Sequence, residues 1–278
     1  MKEGSIVTRK SYNNDICFKI ETINNDIVIL KGMSYRIIAD ANINDLQVLS
    51  PKEYKEKEYN LNEIVDDTIN NFIYERYSKS QFNRGEPKDQ KPGKILHVDG
   101  DNYCLKCCLE KYKKLQVPAQ GVYLKEELQP SQIINLLKEY SPDILVITGH
   151  DNLKRGNNTW SNIENYRNSK YFIETVKNAR KYNSNYDQLV IFAGGCQSYY
   201  DEIIEAGANF ASSPNRILIH HIDPVLVSYN ISIASIREFI DAKHVAKDTF
   251  GGIGGIGGIE TRGKCREISP NLKLKKVY

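Results

Sequence analysis

The chain has 278 residues, 40% hydrophobic and 26% charged, an ordinary globular composition that excludes wholesale disorder and suits one large domain or a large and a small one. Its 38 Lys and Arg against 35 Asp and Glu leave a net charge of +3, too small to argue for nucleic acid or a membrane surface as partner. No run approaches the roughly 18 uninterrupted apolar residues of a membrane span. The N-terminal Met-Lys-Glu-Gly-Ser has no apolar signal core, so a reducing compartment is expected, with six thiols rather than a disulfide framework.

In chain order, apolar runs at 5–8, 16–20, 26–31 and 35–39 are separated by Asn-Asn, Asn-Asn-Asp and Lys-Gly turn signals. Such short strands over residues 1–50 predict an SH3-like β-barrel, a docking module rather than a catalyst. Residues 51–93 read as a mixed-charge run at 51–58, a helix near 61–77 and an exposed polar linker rich in Pro and Gly at 80–93. From 94 to 245 strands and helices alternate. Strands are predicted at 95–98, 119–124, 144–148 and 189–193, with one or two more at 209–211 and 217–220. Helices are predicted up to 115, at 130–140, 165–182, 198–205, 224–230 and 235–245. The alternation implies right-handed βαβ units and an α/β domain, its mostly parallel sheet flanked by helices. The Gly-rich C-terminal segment, 246–278, carries a Gly-Gly-Ile repeat at 251–259 and reads as flexible or turn-like.

Two runs of the α/β part end alike. Ile144-Leu145-Val146-Ile147-Thr148 delivers Gly149-His150-Asp151, and Leu189-Val190-Ile191-Phe192-Ala193 delivers Gly194-Gly195-Cys196. Both are strands of the type buried on two faces, so a histidine and a cysteine fall just past strand C-termini, where open α/β sheets form active sites. A thiol and an imidazole base are the minimum parts of a cysteine hydrolase. A helix starting near Ser198 is expected to lower the thiol pKa. The Cys196 N–H, with one from the Gly149 to Asp151 turn, is expected to form an oxyanion hole. The opposing reading is a packed core thiol and a satisfied loop histidine.

Asp99 and Asp101, after the first strand, and Asp223, after the run at 217–220, are expected on the same sheet edge, where carboxylates favour a cationic substrate side chain. N-capping by Asp101 and a turn at Asp223 before Pro224 are the alternatives. No metal or cofactor is expected. His220 and His221 would point to opposite faces of a strand, and Cys104, Cys107 and Cys108 sit in an amphipathic helical pattern without a second ligand pair.

Many long segments, in one order, resemble the YabG sporulation-specific peptidases of endospore-forming bacteria. They are Arg9-Lys10-Ser11-Tyr12, Ala39-Asp40-Ala41, His97-Val98-Asp99-Gly100-Asp101 and the stretches 142–151, 165–172, 190–198, 206–214 and 258–263. The layout of one run before His and one before Cys is more distantly similar to the caspase, legumain and clostripain group. The 46-residue separation of His150 and Cys196 is near the roughly 50 of caspases. That group's His-Gly is His150-Asp151 here, and its Ala-Cys is Gly195-Cys196.

The resemblance implies a cysteine endopeptidase with Cys196 as nucleophile and His150 as base, and oxyanion N–H groups from Cys196, Asp151 or Gly149. It implies spore coat and cortex-associated proteins as substrates, cleaved near arginine held by Asp99, Asp101 and Asp223, in the mother-cell cytoplasm and the developing coat. Self-cleavage is expected in the basic 76–94 stretch, which holds Arg76, Lys79, Arg84, Lys88, Lys91 and Lys94. The rival readings are a non-enzymatic spore-assembly scaffold and a Cys/His amidase acting on small amides.

Overall fold

A computed structural model describes residues 1–82, 90–154, 156 and 159–268, with the backbone alone over 76–82. Strands β1 (Ile6–Arg9), β2 (Phe18–Asn24), β3 (Ile27–Gly32), β4 (Ile38–Asn42) and β5 (Leu46–Val48) form an antiparallel sheet of order β4-β3-β2-β1-β5. In β3 each buried residue alternates with a half-buried one, so Val28 and Leu30 face the core. The β2–β3 turn is closed by Asn25 at φ 53°, a left-handed conformation asparagine tolerates. The strand expected at 35–39 starts only at Ile38. Residues 33–37 leave the sheet as a loop.

Helix α1 (Pro51–Phe82) is longer than expected at both ends and absorbs the mixed-charge run. Its start is a capping box: the Glu53 N–H donates to Ser50 Oγ (3.3 Å) and the Ser50 N–H to Glu53 Oε2 (2.7 Å). Pro51 stands at the first helical position, where its missing N–H is harmless. The predicted linker therefore begins later, and residues 83–89 of it lie outside the described residues. A two-residue strand β6 (Gln90–Lys91) follows.

Then come β7 (Ile95–Asp99), α2 (Asn102–Lys114), β8 (Ala119–Tyr123), α3 (Gln129–Tyr140), β9 (Ile144–Thr148), α4 (Ser169–Tyr182), β10 (Val190–Ala193), α5 (Tyr200–Glu205), β11 (Phe210–Ser212) and α6 (Asp223–Ile233). The chain closes with β12 (Phe239–Ile240), α7 (Ala242–Ala246), α8 (Gly252–Gly255), β13 (Ile256–Gly258), β14 (Thr261–Arg262) and β15 (Arg266–Glu267). The large sheet runs β13-β11-β10-β9-β7-β8, parallel except for β13. It is α/β and mostly parallel, as expected.

Three expectations are corrected. The glycine repeat is not merely flexible, since it supplies α8 and the antiparallel edge strand β13. Gly258, at φ 154°, lets that edge lie where a Cβ would meet Asn209 O at 2.1 Å. Residues 217–220 form no strand and make only a bridge from His220 to Tyr35. The helix expected at 235–245 is reduced to α7, because Ser235 and Phe239 are drawn into pairings with Cys265 and Arg262.

The two faces of the large sheet bury different residues of the same strands. Leu145 and Ile147 of β9 pack with α3 and α4, while Ile144 and Val146 join a core shared with α2, α6, α1 and the N-terminal sheet. The N-terminal module is thus fused to the α/β part by common apolar burial. Among the described residues no helix is long and apolar enough to cross a membrane.

Candidate active site

Strands β9 and β10 are hydrogen-bonded neighbours with Ile147 opposite Ala193. His150 and Cys196 lie three residues beyond that pair on their respective strands, at equivalent heights on the C-terminal edge. The two turns touch: a Cβ on Gly195 would lie 2.6 Å from Gly149 O and 3.1 Å from Asp151 N. On the other side of β9 stands β7, whose chain leaves first to β8 and returns to β9. That reversal is the topological switch point, where α/β sheets open a crevice, and Asp99 and Asp101 flank it.

Both dyad candidates are fully buried. The Cys196 thiol sits on the backbone of Ile219, accepting from its N–H (3.2 Å) and lying 3.4 Å from its carbonyl oxygen. Burial pushes this thiol up to about 12, against the lowering effect of the Ile219 N–H. The expected lowering by a helix start is corrected. Helix α5 begins at Tyr200, after a turn with Gln197 at φ 55°, and has only six residues. His150 Nε2 contacts Gly32 O at 3.0 Å, while Nδ1 makes no hydrogen bond and lies 4.0 Å from Asp101 Oδ2. Burial lowers the imidazole pKa, and the Asp101 charge opposes this. In this closed arrangement the two side chains are each held by backbone groups rather than by one another.

The three acidic candidates divide. Asp101 caps α2, its Oδ1 accepting from the N–H groups of Tyr103 (2.8 Å) and Cys104 (3.0 Å), with Oδ2 left toward His150. Asp223 accepts from the N–H groups of His220, Phe250 and Gly251 at 2.7 to 3.1 Å. Its carboxyl is buried and pushed up to about 6. Asp99 alone meets a cation, and that cation belongs to the chain's own N-terminal module. Arg36 Nη1 and Nη2 lie 3.0 and 2.9 Å from the two Asp99 oxygens, and all of these side chains are fully buried. Burial opposes the charge on Asp99, but Arg36 and His97 outweigh it and hold the carboxyl far below its ordinary range.

The Arg36 main chain is equally engaged. Its carbonyl oxygen accepts from the N–H of Cys196 (2.8 Å) and of Asp151 (3.2 Å). One buried arginine therefore spans Asp99 and the pair of amides expected to hold an oxyanion. Gly149, the third expected donor, instead packs its Cα against the Glu126 side chain.

The model of the YabG peptidase U57 family matches residues 2–270. The chain belongs to that family. It is 42% identical over 277 residues to the sporulation-specific protease YabG of Bacillus subtilis (strain 168), the match covering 95% of this chain and 96% of the relative. Among solved structures none matches the chain significantly. As a YabG-family member the chain is a peptidase of sporulation, a hydrolase acting on protein.

Within this family member, four site residues escaped sequence reasoning. Arg36 lies in what reads as a strand, 35–39, and Ser34 in the turn just before it. Glu126, almost fully buried, accepts from the His150 N–H at 2.9 Å and occupies the space left by Gly100 and Gly149. His97 bridges Asp99 (3.5 Å) and Thr148 Oγ1 (2.8 Å). Only His97 carried a usable signal, since its period-2 relation to Asp99 places both on one face of β7. Asp151, where the caspase group has glycine, uses its carboxylate on the N–H groups of Asn152 (2.9 Å) and Asn168 (2.8 Å) and on the Ser169 hydroxyl. It clasps the loop before α4 and leaves its own N–H free to point at Arg36 O.

Proposed function

We propose that the chain is a cysteine endopeptidase that cuts after arginine by a Cys196/His150 dyad. The observation that carries this reading is the seat of Arg36, whose guanidinium pairs with Asp99, Nη1 donating to Oδ1 and Nη2 to the His221 carbonyl, while its own carbonyl oxygen accepts from the Cys196 and Asp151 amides. A substrate arginine in that seat would present its carbonyl carbon beside Cys196.

In the reaction His150 takes the thiol proton and the sulfur bonds to the carbonyl carbon. The two amides hold the resulting oxyanion. Collapse breaks the C–N bond, and the departing amine takes its proton from the imidazolium. Water, deprotonated by His150, then splits the thioester and restores the thiol. Asp101, 4.0 Å from Nδ1, stabilises the imidazolium formed on the way. Asp223 orders the loop at 250–251 and adds negative field. Attack requires the thiol to leave Ile219 and the imidazole to leave Gly32. The thiol pKa near 12 belongs to the closed state.

On this reading the substrates are spore coat and cortex-associated proteins, met in the mother-cell cytoplasm and developing coat, and self-cleavage falls in the 76–94 stretch. The N-terminal sheet, whose last strand β5 returns to pair with β1, we read as an SH3-like docking module. Matched fluorogenic peptides ending in Arg, Lys or Asp test the specificity. Turnover of the Arg peptide, its loss in Cys196→Ala and His150→Ala, and labelling of Cys196 by an arginyl thiol-directed inhibitor are expected. Full activity of Cys196→Ala, or preference for Asp, refutes it. A scaffold would cut nothing, and a small-amide amidase would spare folded coat proteins.

A second reading has one specific observation behind it. Asp101, Cys104 and His150 offer ligand atoms all within 4.8 Å of one another, and His150 Nδ1 has no hydrogen bond. These are zinc-type donors. Metal analysis of the purified chain and its activity in chelator separate a metallopeptidase from the thiol enzyme, whose turnover should survive.

A further inference from the structure

The loop between β3 and β4 does more than contribute Arg36. From Gly32 to Ile38 it contacts His150, Asp99, Asp151, the Cys196 amide, His220 and His221. Gly32 O is 3.0 Å from His150 Nε2. Ser34 O accepts from the His221 N–H at 2.9 Å and lies 3.1 Å from His221 Nδ1. Tyr35 forms an antiparallel bridge with His220 and meets its ring edge-on, and Ile37 forms a parallel bridge with Asp151. The Ile38 N–H donates to Asp151 O at 3.2 Å, and the Asn152 side-chain amide to Ile38 O at 2.9 Å. A peptide held by main-chain bonds on both sides, with one side chain in a matching pocket, is how extended substrates are recognised.

We infer that the Ser34-Tyr35-Arg36-Ile37 strap is a built-in pseudosubstrate that occupies the arginine cleft in cis and keeps the resting enzyme closed. The inference rests on the reading of Asp99 and the Cys196 and Asp151 amides as the substrate cleft. Three features make the strap an inhibitor rather than a substrate. First, the thiol is held by backbone groups of Ile219 and the imidazole by Gly32 O, so the two side chains are bonded to the backbone and not to one another. Second, the Ile37 N–H, the nitrogen that would leave, donates back to Tyr35 O at 2.9 Å, bending the chain at Arg36. Third, Gly32 belongs to the strap's own base, so one displacement frees the pocket, the amides and the imidazole together.

The module carrying the strap shares a core with the large sheet and is tied to it again by the Arg167–Asp40 ion pair. The strap therefore competes as a tethered ligand, at an effective concentration in the millimolar range or above. A substrate arginine must displace it, and a partner that pulls the β3–β4 loop away opens the enzyme.

The test reads binding without turnover. The full chain bearing Cys196→Ala is titrated with the acetylated, amidated peptide Met-Ser-Tyr-Arg, copied from the strap. Affinity should rise at least about tenfold when Arg36→Gln is added, as expected on removing a tethered competitor. Because Arg36→Gln strips Asp99 of its partner and can impair folding, Tyr35→Ala is made in parallel. It leaves the Asp99 pair intact, removes the ring contact with His220 and the ring's packing against the core, and should also tighten binding. Equal affinity in all three chains, or no binding to any, overturns the strap. Failure of the peptidase reading is visible separately, as no cleavage of arginine peptides by chains that keep Cys196, with or without the strap variants.

Discussion

At the scale of single residues, the chemistry depends on charges buried where water cannot screen them. The Arg36–Asp99 fork is fully buried, so removing one partner leaves the other uncompensated. Asp99→Asn should destabilise the chain by about 3–5 kcal/mol, measured by urea unfolding. Adding Arg36→Gln to Asp99→Asn should recover part of that loss, because the two residues act as a unit. Asp151 illustrates the opposite economy of one residue in two roles. Its carboxylate ties down the loop before α4 while its N–H faces the Arg36 carbonyl, so a glycine there would keep the donor and lose the clasp.

Among elements, the site is a property of strand ends in contact. The β9 and β10 turns approach so closely that Gly195 has no room for a methyl group beside Gly149 O. Gly195→Ala should force the two ends apart, costing about 1–3 kcal/mol by overpacking. It should also lower turnover of an arginine peptide more than tenfold, as two amides that must converge on one oxygen separate. Thermal unfolding and kcat/KM on the same preparation check both effects. The β3–β4 loop is the complementary case. Its residues have strand-like sequence, yet their backbone groups pair across the module boundary instead of within the sheet.

For the whole molecule, the fused core has a consequence for pH. His221 is pushed down to about 4 by burial and by Arg36, from an ordinary value of 6.5. The unfolded chain therefore binds the extra proton between those values and the folded chain does not, so stability falls as pH drops from about 6.5 toward 4. Asp151 and Asp223, pushed up to about 6 by burial, work the other way between 3.8 and 6. His221→Gln should flatten the histidine part of the acid arm. Comparing urea midpoints at pH 7 and pH 4.5 reads this as a smaller drop than in the parent chain.

Local pattern was enough for much of the α/β part. The apolar runs at β7, β9 and β10 are short, rich in β-branched residues and buried on both faces, so they announce strands, and each strand carries its next turn to a known edge. That determined the sheet, the shared edge of His150 and Cys196, and the presence of Asp99 beside them. Elsewhere local pattern misled. The buried member of the 217–220 run, Ile219, lies with its backbone against the Cys196 thiol, and within the glycine repeat it is Gly258 that the edge strand needs for close approach.

What only the tertiary structure decided is the cation that faces Asp99, and the state of the site that follows from it. Arg36 stands 63 positions from Asp99 along the chain, in a segment whose own pattern reads as one more strand. Pairing between distant segments is set by shape and burial across two modules, and no periodicity within either one encodes it. The twin strand ends were legible as neighbours on one edge, but that the Arg36 carbonyl bonds to both of their turns was not.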